Sequence, residues 1–125
     1  MLLISVVVHL NEFSLVCIYQ QVNEFCVVFS DSNLISFEVA ERPNYFLQLA
    51  FNNTLLLSKW EKSEEFHNRS TFVIHKNTWL SGYSSFESFA KPGYFIHISG
   101  SSVELLKYHH SEEFRLSTLF KLVGK

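Results

Sequence analysis

SFESFAKPGYFI at residues 85–96, followed by SEEFRLSTLF at 111–120, is a near-copy of a stretch met earlier in the same chain, SFEVAERPNYFL at 36–47 and SEEFHNRSTF at 63–72. Ser36-Phe37-Glu38 recurs as Ser85-Phe86-Glu87, and Pro43, Tyr45, Phe46 and Leu47 recur as Pro92, Tyr94, Phe95 and Ile96, all 49 residues later. Ser63-Glu64-Glu65-Phe66 recurs as Ser111-Glu112-Glu113-Phe114, and Phe72 as Phe120, 48 residues later. Between these anchors Leu55, Leu57, Lys59 and Trp60 align with Val103, Leu105, Lys107 and Tyr108. So many matches in one order, with a single one-residue slip, mark an internal repeat. A weaker third copy lies upstream at an offset of 47, where Val8, Leu10 and Phe13 stand for Leu55, Leu57 and Trp60, Tyr19 for Phe66 and Phe25 for Phe72. The counterpart of Ser36-Phe37-Glu38 would fall before Met1, so the first repeat reads as truncated at its N-terminus. One domain over 1–125 then holds a partial repeat at about 1–30 and full repeats at about 34–80 and 83–123.

Within each repeat the apolar residues alternate as strand residues do, Leu55 with Leu57 and Val103 with Leu105. Pro92-Gly93 is a turn pair, and Asn52-Asn53 and Gly100-Ser101-Ser102 stand where hairpins reverse. No stretch sustains an i, i+3, i+4 stripe, so helix content is expected to be minor and each repeat to hold about four short strands. Three such units cannot each bury an apolar face alone. Closed on a common axis they share one core, and the expected fold is an all-β β-trefoil. Thirteen Phe among the 125 residues supply large side chains for that shared centre.

Ten basic residues against twelve acidic ones give a net charge of −2, which is no footprint for a polyanion, so nucleic acid is not an expected partner. The longest uncharged apolar run, Leu2 to Val8, falls far short of the roughly 20 residues that span a bilayer. Cys17 and Cys26 are too few for a thiolate zinc site, and the paired and free states both stay open. His67, His75, His109 and His110 show no ligand spacing, and neither metal nor cofactor is expected. Glu64-Glu65 and Glu112-Glu113 sit at equivalent places in different repeats, too far apart around a barrel for a glycosidase pair, and read as acidic surface turns. No catalytic residue is assigned. Trp60 and Tyr108 share one position, as packing at the barrel lid or as platforms for a sugar ring, with packing ranked first. Asn52 and Asn68 begin N-glycosylation sequons in expected turns, which favours an extracellular or secreted setting.

These repeats resemble the arabinose-binding module of fungal α-L-arabinofuranosidase B, in the Ser-Phe-Glu, Pro-Gly-Tyr and Ser-x-x-Phe order over about residues 6–123. The resemblance implies a β-trefoil and a non-catalytic carbohydrate-binding module, hydrolysis belonging to a separate catalytic domain. It implies a glycan partner of the arabinose or galactose type, or an extracellular protein in an otogelin-like matrix assembly, for a monomeric module of a larger protein. In the family a His closing the second strand and an Asp before the last strand hold the sugar. Here the His positions are Leu49 and Ile98, preceded by Gln48 and His97, and the Asp positions are Arg69 and Ser117. Neither complete repeat retains the pair, so the fold is implied more firmly than the sugar. The alternative is an interleukin-1-like signalling trefoil that binds a receptor protein. Its short signature is approached at Phe86, Ser88, Pro92, Phe95 and Ile96 and departed from at Phe89, His97 and Ile98.

Overall fold

A chain whose apolar residues alternate must pair its strands around a shared interior, and the pairing shows how the repeats do so. The computed structural model describes residues 4–8, 25–29, 33–39, 42–99 and 102–124. The second repeat supplies β3 (Leu34–Val39), β4 (Tyr45–Leu49), β5 (Leu55–Lys59) and β6 (Phe72–Lys76). The third supplies β7 (Ser84–Ser88), β8 (Tyr94–Ser99), β9 (Ser102–Lys107) and β10 (Phe120–Gly124), and β1 (Ile4–Val8) and β2 (Phe25–Phe29) precede them. Every pairing is antiparallel. β4–β5 and β8–β9 form two hairpins, while β1, β10, β7, β6, β3 and β2 follow one another round a nearly closed barrel.

The pseudo-symmetry extends to single registers. Glu38 opposes Phe46 as Glu87 opposes Phe95, and Ile35 opposes Phe72 as Ser84 opposes Phe120. The register also shows how the first repeat is short. Val8 opposes Phe120 just as Ser88 opposes Phe72 and Val39 opposes Phe25. Val8 therefore stands in the register of an opening strand, not in that of Leu55, and Val6 takes the position held by Phe37 and Phe86. From Val8 to Phe25 is 17 positions, against 33 from Val39 to Phe72 and 32 from Ser88 to Phe120. The residues that the first repeat lacks thus fall between its first and last strands. Cys17, Leu10, Phe13 and Tyr19 lie outside the described residues.

The core has the composition expected of three converging lobes. Phe37, Phe72, Phe86 and Phe120 are fully buried, joined by Leu47, Leu55, Ile96 and Val103 at matching positions of the two full repeats. Phe37 meets Phe86 edge-to-face at 5.0 Å between centroids, Phe72 packs on Phe37 at 5.5 Å, and Phe120 packs on Phe86 at 5.6 Å. Aromatic rings prefer such tilted contacts because their edges are positive and their faces negative.

The acidic pairs, expected as turns, open helices instead. α1 (Glu64–Ser70) and α2 (Glu112–Thr118) are each seven residues long, under two turns, so no apolar stripe can repeat along them. Each buries one Phe, Phe66 or Phe114. Ser63 Oγ accepts the Phe66 N–H at 3.0 Å and Ser111 Oγ accepts that of Phe114 at 3.1 Å, so the repeated Ser-x-x-Phe is a helix cap followed by its anchor. The carboxylates of Glu64, Glu65, Glu112 and Glu113 lie in the first turns, where the helix dipole favours them. Ser63→Ala and Ser111→Ala are each expected to cost about 1 kcal/mol by urea titration, and additively, because the two caps sit in different repeats.

Candidate functional site

Strand alternation decides which of the predicted positions share a surface. In β4, Leu47 is buried in the core and Leu49 packs against it, so Phe46 and Gln48 point the other way, toward α1. Phe46 meets Phe66 of α1 edge-to-face at 6.4 Å. Beside that contact Gln48, Glu61, Ser63, Glu65, Phe66 and Arg69 line a polar cleft of about 180 Å³. Two of the predicted positions, Gln48 and Arg69, therefore come together, and Leu49 does not join them.

Fixed partners hold the cleft's polar groups. Gln48 Nε2 donates to Ser58 Oγ at 2.6 Å, across the β4–β5 hairpin. Arg69 Nη2 meets Glu65 Oε1 at 2.8 Å, one turn apart along α1. Both ends of that pair are largely exposed, so it contributes little to stability and stays available to a solute. The arrangement offers guanidinium and amide donors and a carboxylate acceptor, the polar groups that hydroxyl-rich ligands require.

The third repeat uses the same positions differently. His97 is buried, with Nε2 3.2 Å from Glu104 Oε1 and Nδ1 without a partner. Ser117 Oγ donates back to the Phe114 carbonyl at 3.0 Å, and Ile98 opposes Val103 in the β8–β9 hairpin. Tyr108 belongs to an aromatic cluster with Trp79, Phe95 and Phe114, at centroid distances of 6.0, 6.2 and 5.2 Å. Its counterpart Trp60 is 53% exposed and borders a second groove. Trp79 stands at the end of the second repeat, outside the aligned anchors, with no copy to mark it. Glu65 and Phe66 belong to the repeated Ser-x-x-Phe and Glu61 stands two residues before it, so that motif is the signal for all three.

Asn52 is exposed in the 3₁₀ turn Phe51–Asn53, with a positive φ of 54°. Asn68 is half-buried in α1 and not in a turn, and the Ser70 hydroxyl of its sequon donates to the Phe66 carbonyl at 2.8 Å. Among the described residues no three His, Cys, Asp or Glu side chains converge as metal ligands, and no helix is long and apolar enough to cross a membrane.

Fold and cleft together define a β-trefoil module with a polar recess on its second repeat. The chain belongs to the alpha-L-arabinofuranosidase B (ABFB) domain family, whose model matches residues 19–122. It is 52% identical over 89 residues, 71% of this chain, to "Otogelin-like protein" of Mus musculus, and 40% identical over 93 residues, 74% of this chain, to "Otogelin" of Homo sapiens. It spans only 4% and 3% of those relatives. Among solved structures, an arabinofuranosidase complexed with arabinofuranosyl-alpha-1,2-xylobiose superposes with a TM-score of 0.71 at 17% identity, over 97% of this chain and 30% of that one. The designed threefold-symmetric protein ThreeFoil gives 0.71 at 8% identity over 98% of both chains, so these two likenesses speak for the fold. The family assignment sets aside the interleukin-1-like alternative.

Proposed function

We propose that this chain is a non-catalytic carbohydrate-binding module of a larger extracellular protein, with its sugar site in the cleft between β4 and α1. The observation that carries this reading is the meeting of Gln48 and Arg69 beside Glu65 and Ser63 in one recess. A half-buried donor such as Gln48 discriminates sugars because a wrong hydroxyl leaves it unpaired. The matching face of the third repeat offers a buried His97 and a Ser117 bonded to its own helix, so the second repeat is the working site. Arabinose- or galactose-type glycans are the ligand class, and the otogelin relatives together with the exposed Asn52 sequon support the extracellular setting.

Calorimetric titration with arabinan, arabinoxylan and galactosides tests the proposal. Arg69→Ala is expected to weaken binding roughly tenfold, the cost of one charge-assisted hydrogen bond, and Gln48→Ala somewhat less. Silence toward all of these glycans overturns the sugar site. The isolated chain is expected to leave an aryl arabinofuranoside unhydrolysed.

A further inference from the structure

We propose that the groove beside Trp60 is a socket for an aromatic side chain, an indole first of all, presented by a partner polypeptide. The groove, about 220 Å³, is lined by Val28, Ser36, Phe46, Trp60, His67, Ser70 and Thr71. It lies on the side of α1 that carries His67 and Ser70, whereas Gln48 and Arg69 line the polar cleft.

The internal repeat identifies the occupant. Each wall residue has a counterpart in the third repeat. Phe46 corresponds to Phe95 and Trp60 to Tyr108 by sequence, and Val28 to His75 by register, since Val28 opposes Ser36 as His75 opposes Ser85. In the third repeat that place is taken by the chain itself. Trp79, from the connection between β6 and β7, sets its indole 5.7 Å from Phe95, 6.0 Å from Tyr108 and 5.7 Å from Phe114. The connection between β2 and β3 is Ser30-Asp31-Ser32-Asn33, which has no ring to offer. One repeat thus carries a socket with its indole, and its sister carries walls at the corresponding positions around a groove that no described residue fills.

Chemistry favours a ring on a peptide over a glycan. The Ser70 and Thr71 hydroxyls at its floor give their protons to the Phe66 and His67 carbonyls, at 2.8 and 2.5 Å, so they do not donate to a sugar. Val28, Phe46 and the exposed Trp60 face supply the apolar walls against which an aromatic residue buries most area.

The full chain is titrated with N-acetyl-L-tryptophanamide while the His67 imidazole and Val28 methyl resonances are followed. Saturable shifts with a midpoint on the order of 1 mM are expected, as suits a ligand of one ring. Val28→Phe fills the groove and is expected to weaken the titration at least roughly tenfold. Trp79→Ala empties the sister socket, so the variant is expected to bind two equivalents, and the amide is expected to raise its Tm more than that of the parent chain. Absence of shifts, shifts that survive Val28→Phe, or larger shifts of the same resonances with arabinose or galactose would each overturn the proposal. If Val28→Phe does not fold, the Trp79→Ala stoichiometry decides, and a variant that gains no second site overturns it.

Discussion

Phe86→Ala is expected to lower the unfolding free energy by about 3–5 kcal/mol, the range for a large core side chain cut back to Ala. Phe86 is fully buried and touches Phe37 of the second repeat and Phe120 at the end of the third, so truncation opens a cavity where the lobes meet. A cavity at the axis cannot collapse by moving one hairpin, because both neighbouring rings are pinned by their own strands. Domains of this size carry about 5–15 kcal/mol in total, so the loss consumes a large part of it. Urea titration should show the midpoint falling with the slope unchanged, the sign of lost stability without lost cooperativity. Phe89, three residues on and 42% exposed, is the control. Its alanine variant should stay within about 0.5 kcal/mol of the parent. Equal losses at the two positions would mean that the aromatic hub is not what holds the repeats together.

Those two Phe residues show what kind of feature the sequence makes legible. Phe86 announces itself because its copy, Phe37, stands 49 residues earlier, and a pseudo-threefold axis forces equivalent residues into equivalent surroundings. The repeat therefore discloses the trefoil, the four strands of each full repeat and the central rings. It does not disclose α1 and α2, because a seven-residue helix with one buried Phe leaves no periodicity to detect. The register of β1 is equally opaque. Ser5-Val6-Val7-Val8 is uniform enough to align with more than one strand, and only its pairing with β10 separates the choices.

The site shows the same division. Family position pointed to both Gln48 and Leu49, and the two-residue period of a strand sends them to opposite faces, so one lines the cleft and the other packs on the core. Arg69 reaches the same cleft only because α1 is helical, which puts it one turn from Glu65. Trp79 could not be found by comparing repeats at all. A residue present once is invisible to a method that looks for copies, and here that residue distinguishes the third repeat from the second.

The glutamates of the repeated Ser-Phe-Glu provide the sharpest comparison of copies. Glu87→Ala is expected to cost about 2 kcal/mol and Glu38→Ala about 1 kcal/mol, although the two occupy the same position. Each carboxylate accepts a backbone N–H from the turn that starts the next strand, Glu38 from Asn44 at 2.8 Å and Glu87 from Gly93 at 2.7 Å. Both turn residues hold a positive φ, 72° and 88°, which Asn and Gly tolerate better than other residues do. The acceptor stabilises that turn in both repeats. Glu87 has a second contact that Glu38 lacks, its Oε1 lying 2.8 Å from His75 Nε2, because His75 stands where the earlier repeat has Val28. Removing Glu87 therefore strips two partly buried groups of their acceptor, and removing Glu38 strips one at an exposed position. A double-mutant cycle of Glu87→Ala with His75→Ala isolates the difference, with a coupling of about 1 kcal/mol expected. A coupling near zero, or equal costs for the two glutamates, would show that the turn bond alone accounts for both and that His75 adds nothing to the third repeat.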